Sequence, residues 1–351
     1  MKTASRSTSA SRRRSAQPLA RAVSVWAILS LAALASLVVA VAAGSTSIPF
    51  ADVLGALVSG ESSSTAEVVR QLRLPRALAA FATGGLLAIA GALMQVLLRN
   101  PLADPYVLGV SGGAAVGALG AMTLGLGAMM VSASAFVGAL ASVALVFGFA
   151  QRDLARLEAP TAADPSPRLL LTGVILASGW SAIIALLLTI APEAKLRGML
   201  FWLMGDLAGA DNYLPALIAL PLIVAFAFPL SRECNVLLRG PVIAYALGVH
   251  VARLRVALYA LASLATALAV TTAGAVGFIG LVIPHALRIV IGNDQRLLLP
   301  ASALAGGTLL VIADTAARTV HAPQQLPVGV LTALLGVPTF MLLLMRRSGT
   351  S

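Results

Sequence analysis

The stretch RALAAFATGGLLAIAGALMQVLL, residues 76–98, decides the fold. After Arg76 it carries no charge, and its apolar side chains do not alternate with polar ones. It is long enough for a helix to cross the roughly 30 Å hydrocarbon core of a bilayer. Without alternation it does not read as a strand of a membrane barrel. Apolar runs of this kind recur at about 22–44, 107–127, 129–150, 169–190, 213–230, 256–274, 276–291, 299–320 and 328–345. The composition agrees, with 59% apolar residues, 11% charged residues and a mean hydropathy of +0.95. Only one of the 13 acidic residues, Asp314, lies inside such a run. The expectation is an all-α polytopic membrane protein of about ten transmembrane helices.

Loop charges give an orientation, because Lys and Arg accumulate in cytoplasmic loops. With the N-terminus inside, the outer loops hold only Arg70, Arg73, Arg76, Lys195, Arg197 and Arg318, and the other basic residues of the 24 fall inside. Both termini are then cytoplasmic. The net charge of +11 follows from this bias. No basic stripe interleaved with aromatics suggests nucleic-acid binding. Residues 1–21 read as a disordered basic cytoplasmic tail and 22–347 as the transmembrane domain. A secretory signal competes at the N-terminus, but the apolar run from Ala22 to Ala43 exceeds the usual signal core, so a retained helix is expected.

The single cysteine, Cys234, provides no disulfide framework, and the three histidines stand at no metal-ligand spacing. The two lysines, Lys2 and Lys195, belong to no GxxxxGK[ST] loop. ATP-driven transport would therefore need a separate ATPase. A gradient-driven carrier would need ionisable groups within its spans, where only Asp314 stands, one helical turn from Arg318. An ion-coupled carrier and a non-transport scaffold are the rival classes.

Four longer segments carry a resemblance. They are RLPRALAAFATGGLLAIAGALMQVLLRNPLADPYVLGVSGGA (Arg73 to Ala114), WLMGDLAGAD (Trp202 to Asp211), GAVGFIGLVIPHALRIVIGNDQRLLLP (Gly274 to Pro300), and ALAGGTLLVIADTAAR followed by LPVGVLTALLGVPTFMLLL (Ala303 to Leu344). In these the chain resembles FecCD-type permeases, membrane subunits of ATP-binding cassette importers for iron–siderophore complexes, haem and cobalamin.

The resemblance implies a second permease subunit, two ATPase subunits that bind ATP and Mg, and a substrate-binding protein docking outside. It implies no cofactor in this chain and a place in the cytoplasmic membrane of a prokaryote. It implies docking through Arg73, Arg76 and Arg318, whose plainer reading is anchoring to lipid phosphate. It places the cytoplasmic gate at Asn100, Leu102 and Ser166, where the plain reading is a rigid proline-flanked turn. The loop 231–255 becomes the ATPase-coupling element, with Leu237, Leu238, Gly240, Ala244, Leu247 and Gly248 in it. Its plain reading is an amphipathic helix lying on the membrane surface. Arg239, Pro241, Gln295 and Gln325 depart from the family pattern. The fifth and tenth helices are pathway-lining candidates, and an iron(III)–siderophore chelate is the expected cargo, with haem or cobalamin as the alternative.

Overall fold

The computed structural model describes residues 5–44, 48–49, 52–53, 55–56, 63–155, 166–209 and 212–348. Its helices are α1 (Ser5–Ala42), α2 (Leu74–Leu97), α3 (Val110–Thr123), α4 (Ala128–Ala155), α5 (Ser166–Ile190), α6 (Glu193–Met204), α7 (Leu214–Leu237), α8 (Pro241–Ala246), α9 (Val251–Ala273), α10 (Ile279–Ile291), α11 (Gln295–Thr319) and α12 (Val328–Ser348). The described residues contain no strand. Each of the ten expected runs contributes a helix.

Among the described residues, seven helices are long and apolar enough to cross a membrane, and α3 and α10 are shorter apolar helices. The third run was expected to be helical from residue 107. Instead it opens with a 3-10 turn, Pro105–Leu108, and Gly109 in the left-handed region at φ 69°. That leaves α3 about 21 Å long at 1.5 Å per residue. Helix α6 was read as loop, because Glu193, Lys195 and Arg197 interrupt its apolar pattern.

Helix α1 begins at Ser5, within the segment expected to lack structure. The reason is cooperative. Adding a residue to an existing helix is far cheaper than starting one, and the apolar run below supplies the start. The linker residues 156–165 and residues 210–211 of the second family segment lie outside the described residues.

Helix α2 is the axis of the bundle. A short helix, Ser64–Glu67, and a π-helical turn, Val68–Arg73, lead into it. Almost every residue from Ala77 to Leu97 is buried, with α7, α9, α10 and α11 packed around it. The glycines make this possible, since small faces let helix backbones approach closely in lipid. A methyl group added to Gly84 would meet Leu310 Cβ at 2.7 Å and the backbone of Gly306. One added to Gly91 would press on Gly280, with the Gly280 Cα at 2.6 Å.

The backbone breaks at 274–278, between α9 and α10. Irregular backbone at membrane depth requires partners within the protein. Tyr106 supplies them here. Its hydroxyl donates to Val276 O at 3.0 Å and accepts from Val276 N at 3.1 Å. Asp206 N closes α9 by donating to Ala273 O at 2.9 Å. His285 is buried with its ring edge-on to Phe340 at 5.7 Å between centroids.

Candidate functional sites at the two ends of the bundle

Helices α2 and α11 run antiparallel, and their register brings Arg76 to Asp314 at one end. Arg76 Nη2 lies 2.9 Å from Asp314 Oδ1, and Arg76 Nε donates to both carboxylate oxygens at 3.0 and 3.1 Å. Arg318 Nε, one turn along α11, donates to Asp314 Oδ2 at 3.0 Å. Asp314 is 1% exposed. An ion held this deeply needs both its charge and its lone pairs matched, and the two guanidinium groups do this.

The arginines also hold the end of α1, whose last carbonyls have no partner within the helix. Arg73 Nη1 donates to Val41 O at 3.1 Å and Ala42 O at 2.8 Å. Arg318 donates to Ala40 O at 3.0 Å and Ala43 O at 3.3 Å. So the three residues expected at a docking surface stand together, with Arg73 and Arg318 turned inward. Arg73 and Arg318 are 6% and 7% exposed. Arg76 keeps an edge toward solvent, where Nη1 donates to Gln325 Oε1 at 2.7 Å.

The segment expected as a gate begins where α2 stops. Arg99 takes the left-handed conformation at φ 48°. Arg99 N then donates to Val96 O at 3.2 Å and Asn100 N to Gln95 O at 3.2 Å, the pair of bonds that closes a Schellman-type end. Asn100 Oδ1 accepts from Leu102 N at 2.9 Å, which fixes the turn, and Leu102 is 45% exposed. Farther along, the Asp104 side chain accepts from Tyr106 N at 2.7 Å. Burial pushes the Asp104 carboxyl up to about 6, against the opposing pull of that bond. Ser166 opens α5. The segment approaches α5 at Gly109, which faces Gly173 and Ala177.

Gln95 carries a role that sequence reading passed over. Pro284 has no N–H, so Gly280 O, four residues earlier in α10, loses its helical donor. Gln95 Nε2, from α2, donates to Gly280 O at 3.4 Å and Leu281 O at 3.3 Å. Gln95 Oε1 in turn accepts from Arg288 Nη1. Gln95 is 1% exposed; in the sequence the available signal is only a long polar side chain within an apolar run.

At the same end, α7 turns at Gly240 (φ 123°) into α8, and Gly248 (φ 81°) ends α8. Of the six residues expected in coupling, Leu237 and Ala244 are buried and anchor α8 to the bundle. Gly240 and Gly248 shape its two ends, Leu238 is half-buried, and Leu247 is 64% exposed. Val242, Ile243 and Tyr245 are also exposed. An apolar helix of one and a half turns therefore stands uncovered beside a cleft of about 510 Å³ lined by Tyr245 and residues 248–253.

A helical bundle buried around one apolar axis, clamped by ions at one end and bearing an uncovered apolar helix at the other, is the architecture of a multi-pass membrane subunit that meets a partner at one end. The model of the FecCD transport family matches residues 31–346. The cobalamin import system permease protein BtuC of Halobacterium salinarum is 43% identical over 284 residues, covering 80% of this chain and 74% of that protein. The vitamin B12 import system permease protein BtuC of Escherichia coli is 40% identical over 284 residues, covering 79% and 83%. A solved metal-chelate type ABC transporter in an inward-facing conformation superimposes with a TM-score of 0.79 at 31% identity, covering 92% of this chain and 99% of that one. The chain belongs to the FecCD transport family, as a multi-pass permease subunit of ABC importers in the prokaryotic cytoplasmic membrane.

Proposed function

We propose that this subunit imports a cobalt corrinoid, cobalamin foremost, by alternating access. The observation that carries the reading is that relatives 43% and 40% identical are both named as cobalamin permeases. The iron(III)–siderophore cargo expected from sequence stands as the second reading. It is favoured by the likeness to a transporter named only for metal chelates. Either cargo is bulky and suits a wide pathway with weak contacts. The test is uptake of labelled cyanocobalamin, against labelled ferric siderophores, into proteoliposomes holding the complete transporter. Saturable cyanocobalamin uptake supports the reading, and siderophore uptake alone replaces it.

The end of the bundle holding Asp314 faces outward and the end holding Asp294 faces the cytoplasm, with both termini inside. This rests on the loop charges. A substrate-binding protein docks at the outer end, where Arg76 keeps an edge toward solvent beside the exposed Gln325. Arg73 and Arg318 hold that surface in place from below. Electrostatic docking of this sort governs encounter and register more than affinity. Two copies of the permease, or this one and a paralogue, form the pathway.

The ATPase subunits, which bind ATP and Mg, meet α8. Its exposed Val242, Ile243, Tyr245 and Leu247 offer a compact apolar knob, and apolar area withdrawn from water stabilises a contact by about 25 cal/mol per Å². Movement of α8 then opens the pathway to one side or the other. The turn at Asn100 and Leu102, with Ser166 at the head of α5, closes the cytoplasmic side.

A further inference from the structure

The coupling helix needs a rigid attachment if its movement is to reach the pathway. Helix α8 has only six residues and a left-handed glycine at each end. It transmits force only through what it is seated on, and α7 is its nearest long support. Three residues before Leu238, α7 carries Asn235. Asn235 Nδ2 donates to Asp294 Oδ1 at 2.7 Å, and Asn235 Oδ1 accepts from Gln295 N at 2.9 Å. The same Asp294 oxygen accepts from Arg296 N at 3.0 Å, as the N-cap of α11.

One amide therefore joins the last turn of α7 to the first turn of α11 through a two-way pair of hydrogen bonds. Asp294 is acceptor for both helices at once. Asn is the fitting side chain for this place, since it presents a donor and an acceptor side by side. A carboxylate acceptor makes one of the bonds charge-assisted, and such bonds are roughly twice as strong as neutral ones. From this joint α11 runs about 30 Å, at 1.5 Å per residue, to the Asp314 cluster at the opposite end. The turn is also held from its other side, where Arg21 Nη2 donates to Ile291 O and Trp26 Nε1 to Leu297 O, both at 3.3 Å.

We infer that Asn235 and Asp294 are positioning residues for transport, the joint through which movement of α8 is passed to α11. The inference rests on α8 as the ATPase contact. In this reading both act through the helices they join, not on the cargo or the nucleotide. A joint of this kind leaves the rate of ATP hydrolysis in place and sets how much of it becomes transport.

The test uses the complete transporter in proteoliposomes, with uptake of cyanocobalamin and ATP hydrolysis measured on the same preparation. Asn235→Asp removes the Nδ2 donor and faces one carboxylate with another. It is expected to raise the ATP hydrolysed per cargo molecule by roughly tenfold or more, the scale of one bond to a charged group. Adding Asp294→Asn to it restores a donor opposite an acceptor and still caps α11, so the double variant is expected to recover most of the coupling. Melting of each purified variant separates a loss of fold from a loss of coupling.

An unchanged ratio of ATP to cargo in Asn235→Asp would overturn the inference. So would a double variant no better coupled than the single one, or a loss fully matched by the lowered melting temperature. Leu247→Asp, run alongside, tests the underlying reading separately. If it leaves ATPase association intact, α8 is not the contact, whatever Asn235 shows.

Discussion

Arg76 on α2 and Asp314 on α11 are joined 2.9 Å apart, in the register that also lays Gly84 against Gly306. One antiparallel alignment satisfies both the charge and the close packing. An isolated carboxylate inside a membrane bundle is costly, so this pair fixes which way α11 slides along α2.

Asp314→Ala therefore leaves two guanidinium groups facing each other at a buried site. Removing one partner of such an arrangement costs about 3–5 kcal/mol. Thermal unfolding of the detergent-purified subunit is expected to show a marked drop in midpoint, with Arg318→Ala milder because Arg76 still pairs with the carboxylate. Equal midpoints for wild type and Asp314→Ala would mean the cluster does not hold the helix ends.

Gly84→Leu and Gly91→Leu push side chains into backbone, where no rotamer offers relief. Overpacking commonly costs about 1–3 kcal/mol and sometimes more. Here the neighbouring groups are the backbones of Gly306 and Gly280, which cannot move aside alone. The yield of folded protein by size-exclusion chromatography is expected to collapse for both. The same change at Gly120, which has open space around it, is expected to leave the yield intact.

Gln95→Leu removes the donor that replaces the missing N–H of Pro284, and also the acceptor for Arg288. Each buried polar group left without a partner costs about 1–3 kcal/mol. The variant should melt lower, and Arg288→Leu in the same chain should return part of the loss, since a lone buried cation is then absent. Strictly additive losses would show that the two side chains act independently.

Asp104 offers a test by pH. Its folded value of about 6 lies above the ordinary 3.8, so the folded state holds a proton more readily than the unfolded state. Stability from this group is present at low pH and falls as pH rises from about 4 to 6. Asp104→Asn keeps an acceptor for Tyr106 N and removes the titration. The variant is expected to gain stability over wild type above pH 6, with the gain shrinking toward pH 4. A constant difference across that window would contradict the assignment.

The apolar runs made the bundle legible before any coordinates, because bilayer thickness and backbone hydrogen bonding leave few alternatives. The short elements were less legible. Helix α3 starts late because Gly109 and the Pro105 turn take residues that hydropathy alone assigns to a span. Helix α6 hides behind its charges. At the ends of the bundle, sequence reading found Arg73, Arg76 and Arg318 but placed them on a surface. The burial of Arg73 and Arg318 depends on α1 ending beside them with unsatisfied carbonyls, a contact across more than 270 residues for Arg318. Gln95 and Asn235 went unread for the same reason. Each is an ordinary amide until a distant proline or helix cap is brought to it.

The charge on the coupling reading is sharpest at Leu247, which is exposed and apolar on a helix that packs on little else. Leu247→Asp is expected to lower co-purification of the ATPase subunits and leave the melting of the permease within about 0.5 kcal/mol, as for surface changes generally. A normal yield of the complex would place the ATPase contact elsewhere.

The central claim is that this chain is a passive gate driven by a separate ATPase. The most direct measurement is cargo uptake into proteoliposomes in which ATP, the ATPase and an ion gradient are supplied or withheld independently. The account predicts uptake only when ATP and the ATPase subunits are both present, regardless of gradient. Uptake by the permease alone under a proton or sodium gradient would contradict it.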